Sequence, residues 1–168
     1  MKSVVIVGAG GFGREVLEIF NDMNKHKKEW DVLGFIDDNK ELHGTTINNF
    51  LVLGGLNWFG NHKDVYCVCA IGEPESKEKA VETLQKMDVH FCNAIHPSVI
   101  MSKFVEFGED VIICAGSILT VNIKIGNHVI INLNCTIGHD AVIEDYCSLM
   151  PTVKISGNNH LYQGVYVG

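Results

Sequence analysis

From Ile95 to Val167, a large apolar residue occupies every sixth position without a miss. A period of six fits neither an amphipathic helix nor an ordinary half-buried strand. It is the period of the hexapeptide parallel β-helix, in which each hexad forms one side of a coil of about eighteen residues. Residues 95–168 are therefore predicted to form about four coils. The anchor residues of the repeat are Ile95, Met101, Phe107, Ile113, Leu119, Ile125, Ile131, Ile137, Ile143, Leu149, Ile155, Leu161 and Val167.

A second column of mostly small or β-branched residues lies four positions after each anchor. Each of its members stands two residues before the next anchor, and residues two apart on a strand face the same way. We therefore expect both columns to point inward, the residue between them to point outward, and the third and fourth residues of each hexad to form corners. The second column comprises Val99, Val105, Val111, Ser117, Ile123, Val129, Cys135, Ala141, Cys147, Val153, Asn159 and Val165.

The first 94 residues follow a strand, glycine turn and helix pattern instead. The apolar run 4–7 is typical of a buried parallel strand, and an amphipathic helix is predicted from Arg14 to about Asn24. Between them, Gly8, Gly10 and Gly13 satisfy the G-x-G-x-x-G pattern, with Gly11 in the same turn. This pattern brings backbone N–H groups and the positive end of a helix close to a phosphate.

Two further strand ends are predicted to meet this glycine turn. The strand 32–36 ends in Asp37 and Asp38, where such folds place a carboxylate on a ribose hydroxyl. The strand 65–71 runs into Gly72, and Pro74 begins a helix that reaches about Met87. These elements predict an α/β Rossmann-like half-domain over residues 1–94, followed by the β-helix domain over residues 95–168.

Two other interpretations of the glycine turn remain open at this point. The turn could be a tight connection without a ligand, or the chain could be an NAD dehydrogenase. A complete dinucleotide domain needs two mononucleotide halves, however, and residues 1–94 provide little more than one. A mononucleotide or a nucleoside diphosphate group therefore fits this segment better than NAD.

The composition narrows the functional class. The net charge of −7 and the absence of a basic cluster argue against nucleic-acid binding. No run approaches the 18 or so apolar residues of a membrane span, and the apolar start is shorter than a signal-peptide core. The six cysteines lie in inward columns or apolar runs, so we expect buried free thiols, not disulfides or a metal site. A cytoplasmic protein is predicted.

Five segments together resemble the bacterial sugar acetyltransferase family, which includes sialic acid O-acetyltransferases and nucleotide-aminosugar N-acetyltransferases. The resemblance extends from residue 1 to residue 168. The segments are VVIVGAGGFGRE (4–15), GFIDD (34–38), AIG (70–72), IHPS (95–98) and IGHD (137–140). It implies a left-handed β-helix, a homotrimer, a nucleotide sugar as acceptor and acetyl-CoA as donor, without a metal.

The resemblance also implies site residues. His139 would be the general base with Asp140 beside it, and acetyl-CoA would lie along the β-helix between neighbouring subunits, with Ser148 and Gly157 on the donor side. Family members often carry a second histidine that contacts the donor, and Ser148 stands at that position here. The residues assigned to the acceptor are Gly8, Gly10, Gly11, Gly13, Asp37, Asp38, Gly72 and Asn132.

The residues themselves support His139 as a base. A neutral imidazole can accept the proton that an amine or hydroxyl loses as it attacks a thioester. At a corner, His139 and Asp140 escape strand alternation, so both could reach one site, where Asp140 would fix the imidazole tautomer. Gly157, eighteen residues on, should stack over His139 and leave room beside the ring. His139 could instead be a polar corner residue like His128.

The function predicted from the sequence is acetyl transfer from acetyl-CoA to an amino or hydroxyl group of a nucleotide-linked aminosugar or sialic-acid-like sugar in cell-surface glycan synthesis. The alternative is a non-catalytic trimeric protein that binds a nucleotide sugar. Because the hexads reach Gly168 soon after His139, whereas the family continues for several more hexads, the chain is expected to be truncated. It is then expected to bind acetyl-CoA weakly or not at all, unless another chain covers the last coil.

Overall fold

The computed structural model describes residues 1–168, which form an α/β sheet layer followed by a left-handed parallel β-helix. The predicted fold class is therefore confirmed. The sheet ends at residue 91 and the first strand of the β-helix begins at residue 94, so the predicted boundary between residues 94 and 95 falls inside that strand.

The N-terminal elements are β1 (Lys2–Val7), α1 (Gly11–His26), β2 (Trp30–Ile36), β3 (Thr46–Ile47), β4 (Phe50–Gly54), β5 (Tyr66–Cys69), α2 (Pro74–Gln85) and β6 (His90–Phe91). The six strands form a sheet in the order β3-β4-β2-β1-β5-β6, which is parallel except for β3, which pairs antiparallel to β4. Residues 4–7 of β1 are all buried, on both faces of the sheet, as expected for a central parallel strand covered by helices. The β3–β4 hairpin was not predicted from the sequence.

The β-helix has three sides, each a stack of short parallel strands paired eighteen residues apart. The first side contains β7 (Ala94–Ile95), β10 (Ile112–Ile113), β13 (Ile130–Ile131), β16 (Ser148–Leu149) and β19 (Tyr166–Val167). The second side contains β8 (Ile100–Met101), β11 (Ile118–Leu119), β14 (Thr136–Ile137) and β17 (Lys154–Ile155). The third side contains β9 (Val105–Phe107), β12 (Ile123–Ile125), β15 (Val142–Ile143) and β18 (His160–Leu161).

The corners fall where the hexad pattern predicts them. From residue 110 onward, the fourth residue of every hexad has a positive φ, which lets the chain turn sharply between sides. Most of these residues are Asn, Asp or Gly, the types that tolerate this conformation best. The corner residues are Asp110, Gly116, Asn122, His128, Asn134, Asp140, Tyr146, Thr152, Asn158 and Gly164.

The two predicted columns form the core of the β-helix with three exceptions, of which two are the exposed anchors Met101 and Phe107 of the first coil. Asn159 is exposed, because its amide group donates to the carbonyl oxygens of Ser156 and Gly157 at its own corner. The outward residues also differ from the expectation on the first side. There Ile112 and Ile130 are fully buried, since α1 packs against that side and joins them to the core of the sheet layer.

All six cysteines are buried and unpaired, which confirms the prediction of buried free thiols. Burial raises the pKa of the Cys69 thiol to about 12. None of the helices has both the length and the apolar content that crossing a membrane would require.

Candidate active site

The carboxyl ends of β1, β2 and β5 meet at one edge of the N-terminal sheet. β1 is central, the chain continues to β2 on one side, and β5 lies on the other side, so the strand order reverses between β1 and β5. Ligands of open α/β sheets bind at such a point. A cavity of about 150 Å³, here called the crevice, opens there. It is lined by Val7, Gly8, Ile36, Asp37, Asp38, Leu56, Ile71 and Ala80.

The glycines of the turn have different roles. Gly8 has φ +106°, and a Cβ on Gly13 would overlap the Gly8 carbonyl, so these two glycines allow the turn and the close approach of α1. Gly10, by contrast, has no heavy atom within 4 Å of the position a Cβ would take. Gly10 and Gly11 therefore border open space at the start of α1, where no side chain caps the helix. The assignment of Gly13 as a direct ligand contact has no support, because its free side is filled by backbone.

The two aspartates after β2 are also distinct. Asp37 Oδ2 accepts a hydrogen bond from the Ala9 N–H (2.9 Å), and Oδ1 accepts one from the Asn39 N–H (2.9 Å). Asp37 thereby fastens its own loop to the glycine turn. The Asp38 carboxylate is exposed and forms no hydrogen bond within the chain. Asp38 is thus the carboxylate free to meet a ligand.

A larger cleft of about 600 Å³, here called the outer cleft, adjoins the crevice and shares Asp38 and Leu56 with it. Its wall includes Trp58, whose ring stacks on His62 with centroids 3.6 Å apart. His43 also lines the outer cleft, and its Nε2 lies 2.7 Å from the Asp37 carbonyl oxygen. The sequence did not point to this cleft. It is lined by Asp38, Lys40, His43, Leu53, Gly54, Gly55, Leu56, Asn57, Trp58 and Thr83.

His139 and Asp140 meet at an exposed corner between the second and third sides. Asp140 has φ 59°, and this turn brings its Oδ2 to 2.8 Å from His139 Nδ1. The hydrogen bond with His139 lowers the pKa of the Asp140 carboxyl. A carboxylate at Nδ1 favours the tautomer with the proton on Nδ1, which leaves the Nε2 lone pair free. Gly157 lies over the ring, as the eighteen-residue spacing predicts.

Three further predicted site residues line neither the crevice nor the His139 corner. Ser148 has no accessible surface and its hydroxyl has no hydrogen-bond partner, so a donor contact through this side chain has no support in the geometry. Asn132 is 7% exposed on the first side, and its Oδ1 accepts from the Leu133 N–H. Gly72 lies just past β5, beyond the crevice residue Ile71.

The N-terminal half and the His139 corner lie on different parts of the β-helix. Helix α1 covers the first side, and α2 contacts the corner between the third and first sides through the Lys77–Asp110 ion pair. His139 occupies the remaining corner opposite the first side, between the second and third sides. The crevice of the same chain therefore lies on the opposite side of the β-helix from His139. No group of three or more His, Cys, Asp or Glu side chains is arranged to hold a metal ion.

The chain is similar to several known proteins. Residues 3–84 match the family model described as the PglD N-terminal domain. Over 166 residues, the chain is 28% identical to the GDP-perosamine N-acetyltransferase of Escherichia coli O157:H7. This match covers 97% of this chain and 74% of that protein. Over 126 residues, it is 31% identical to the UDP-N-acetylbacillosamine N-acetyltransferase of Bacillus subtilis strain 168, spanning 68% of this chain and 52% of that protein.

A solved structure is similar over nearly the whole chain. A mutant of the perosamine N-acetyltransferase from Caulobacter crescentus, in complex with CoA and GDP-perosamine, superposes with a TM-score of 0.84 at 25% sequence identity. The match covers 95% of this chain and 74% of that one.

Proposed function

Because the chain belongs to the bacterial family of nucleotide-aminosugar acetyltransferases, we propose that it transfers the acetyl group of acetyl-CoA to the amine of a nucleotide-linked amino sugar. The family predicted from the sequence is confirmed. The observation that carries the proposal is the His139–Asp140 pair, an exposed imidazole whose Nδ1 is held by a carboxylate while Nε2 stays free. That arrangement suits a general base.

The chemistry follows from this pair. The acceptor nitrogen attacks the thioester carbonyl carbon, a C–N bond forms, and the C–S bond breaks as the CoA thiolate leaves. His139 Nε2 takes the proton that the nitrogen loses and can pass it to the departing thiolate. Asp140 stabilises the imidazolium in between. An acceptor amine fits the named relatives better than the hydroxyl that the sequence left open.

The crevice supplies a matching acceptor site. The uncapped N-terminus of α1 beside Gly10 and Gly11 offers backbone N–H groups and a partial positive charge to a diphosphate. Asp38 is placed to accept a hydrogen bond from a ribose hydroxyl, and the outer cleft beyond it has room for a base. The relatives use both GDP-linked and UDP-linked sugars, so the proposed acceptor class is a nucleoside diphosphate amino sugar.

We also propose that the enzyme is a homotrimer whose active sites combine the crevice of one chain with His139 of the next. His139 stands at the corner opposite the side that its own N-terminal half covers, so one chain does not join the two parts. The second side also exposes Ile100 (65%) and Ile118 (38%), apolar side chains that a neighbouring subunit would cover. A cytoplasmic location is proposed too, which the six unpaired cysteines support.

The activity is tested by incubating the protein with acetyl-CoA and GDP-linked or UDP-linked amino sugars, and by measuring CoA release and the acetylated product by mass spectrometry. Nucleotide sugars that carry hydroxyl groups but no amine are the matched controls. We expect product only from amine acceptors. Tight binding of these sugars without transfer would instead establish the non-catalytic binding protein, and transfer to the hydroxyl sugars alone would contradict the amine assignment.

The shared site is tested by mixing two inactive variants. Gly10→Val removes the acceptor site and His139→Ala removes the base, so each pure trimer should be inactive. In mixed trimers made from equal amounts, about a quarter of the sites combine an intact crevice with an intact His139 from the neighbour. Recovery of about that fraction of activity supports the shared site, and no recovery contradicts it.

A further inference from the structure

A buried charged cluster joins the two halves of the chain. Asp110, Lys77 and His128 are each at most 3% exposed at their side chains. Asp110 Oδ2 lies 3.2 Å from Lys77 Nζ and 3.0 Å from His128 Nδ1. Lys77 belongs to α2, whereas Asp110 and His128 are corner residues of successive coils. The cluster therefore bridges the sheet layer and the β-helix.

Asp110 is the centre of this cluster. Its Oδ1 accepts a hydrogen bond of 2.7 Å from the backbone N–H of Cys69, at the end of β5. Lys77 Nζ has no hydrogen-bond partner of good geometry, so the ion pair with Asp110 is its only compensation. Buried charges of this kind are expensive unless paired, and a fully buried carboxylate with three partners is strongly fixed in place.

Aromatic rings pack against the His128 side of the cluster. The His128 ring stacks on Tyr146 with centroids 4.9 Å apart and meets Phe91 edge-on at 5.1 Å. Tyr146 is the corner residue of the next coil, and Phe91 is the last residue of β6. Asp110 is thus held by the β-helix on one side and contacts the sheet layer on the other.

The two contacts that Asp110 makes with the sheet layer, to Cys69 and Lys77, involve segments that line the crevice. Cys69 is followed by Ala70 and Ile71, and Ile71 lines the crevice. On α2, Ala80 also lines the crevice and lies three residues after Lys77, on the same buried face of the helix. Two walls of the crevice are therefore attached, through Cys69 and Lys77, to one carboxylate of the β-helix.

We propose that Asp110 is a positioning residue for the acceptor, which sets the β5–α2 loop (residues 70–73) and so shapes the crevice from the β-helix side. The role at the acceptor rests on the proposed function. Asp110 has no exposed surface, so it touches neither substrate and acts only through the Cys69 N–H and Lys77. The consequence is that the acceptor-binding half and the half that carries His139 keep a fixed relation within each chain.

The test compares two double variants, because a single change at Asp110 would leave the Lys77 ammonium buried and unpaired. Lys77→Met removes that charge in both. Asp110→Asn keeps an acceptor for the Cys69 N–H, tolerates the positive φ, and can hydrogen-bond His128. Asp110→Gly also fits the positive φ but removes the acceptor. Glu109→Gln, at the exposed neighbour on the same corner, is the surface control.

The first measurement is amide hydrogen exchange. In the Lys77→Met/Asp110→Gly variant, exchange at Cys69 and through residues 70–73 should be about tenfold faster than in wild type, and the Lys77→Met/Asp110→Asn variant should restore protection. Unchanged exchange in the Gly variant would overturn the proposal. This measurement needs no ligand, so it decides the positioning of the loop even if the proposed function fails.

The second measurement is the affinity for the nucleotide sugar by calorimetry, together with the KM for each substrate. The Gly variant should raise the acceptor Kd and KM about tenfold and leave the donor KM unchanged, while the Asn variant stays within about twofold of wild type. Equal acceptor affinity in all variants would overturn the proposal. If wild type itself binds no nucleotide sugar, the proposed function fails, and the exchange measurement alone decides whether Asp110 positions the loop.

Discussion

Gly157 lies directly over the imidazole of His139, and a Cβ at Gly157 would stand 2.5 Å from Nε2 of the ring. The two residues are equivalent corner positions of successive coils, and the Asn158 N–H donates to the His139 carbonyl oxygen at 2.8 Å. The imidazole therefore lies between Asp140 on one side and the next coil above it. Any residue larger than glycine at position 157 would displace the ring.

Gly157→Ala should displace the imidazole while leaving the acceptor crevice unchanged. We expect kcat to fall about 100-fold, because a misplacement near 1 Å costs that much in a positioned reaction, with the acceptor KM unchanged. Steady-state kinetics on the trimer measure both. Ser156→Ala, at the same exposed corner, should behave like wild type. Normal turnover in Gly157→Ala would show that the ring position is not critical.

Gly10→Val should abolish nucleotide-sugar binding without unfolding the protein. The space around Gly10 is open, so a larger side chain fits the fold but occupies the place where a phosphate would approach the backbone. Calorimetry with the nucleotide sugar and a melting curve separate the two effects. Gly60→Val, at another open glycine outside the crevice, is the control. Retained binding in Gly10→Val would exclude a phosphate from this turn.

The fold could be predicted from the sequence because each hexad of the repeat corresponds to one side of a coil. Anchors such as Ile131 and Ile137, with Cys135 between them, point into one core, and the left-handed corners recur with the same period. The glycine turn and the His139–Asp140 corner were predictable for the same reason, since each is set by local sequence. The roles of the individual site residues remain predictions.

The junction between the halves could not be predicted, because it depends on how α2 meets the corner column. The one available signal was Lys77, which shares a helical stripe with the apolar residues Ala80, Val81 and Leu84. Likewise, the sequence gives no means of separating Asp37 from Asp38. Only the turn geometry shows that Asp37 is bonded to the glycine turn while Asp38 stays free.

Thr152→Gly should stabilise the protein. Thr152 is an exposed corner residue with φ 66°, a conformation that a β-branched side chain adopts only with strain. Relief of that strain predicts a gain of about 1 kcal/mol, measured as a rise in the melting temperature. Thr120→Gly, at an exposed position without positive φ, should instead destabilise slightly. A lower melting temperature for Thr152→Gly would contradict the strain argument.

Glu73→Gln should destabilise the protein at neutral pH but not in acid. The hydrogen bonds that Ser76 and Glu75 donate to Glu73, the N-cap of α2, hold the pKa of its carboxyl below the ordinary value of 4.5. Since the pKa is lower in the folded state, the stabilisation is complete above the unfolded pKa and is lost as the pH falls through the folded pKa. The melting temperature of Glu73→Gln should lie below that of wild type at about pH 7, and this difference should disappear at about pH 3. A difference in melting temperature that persists in acid would contradict this explanation. The control Glu106→Gln should melt at the same temperature as wild type at either pH.

His139→Ala removes the proposed general base itself, and turnover and nucleotide-sugar affinity should be measured on the same preparation. His160→Ala is the matched control, because His160 is also an exposed histidine of the β-helix bonded to a carboxylate, Glu144. We expect His139→Ala to lower kcat by about 10² to 10⁴ while the nucleotide-sugar Kd stays the same, and we expect His160→Ala to change neither. Near-normal turnover in His139→Ala would contradict the assignment of the base and with it the proposed mechanism.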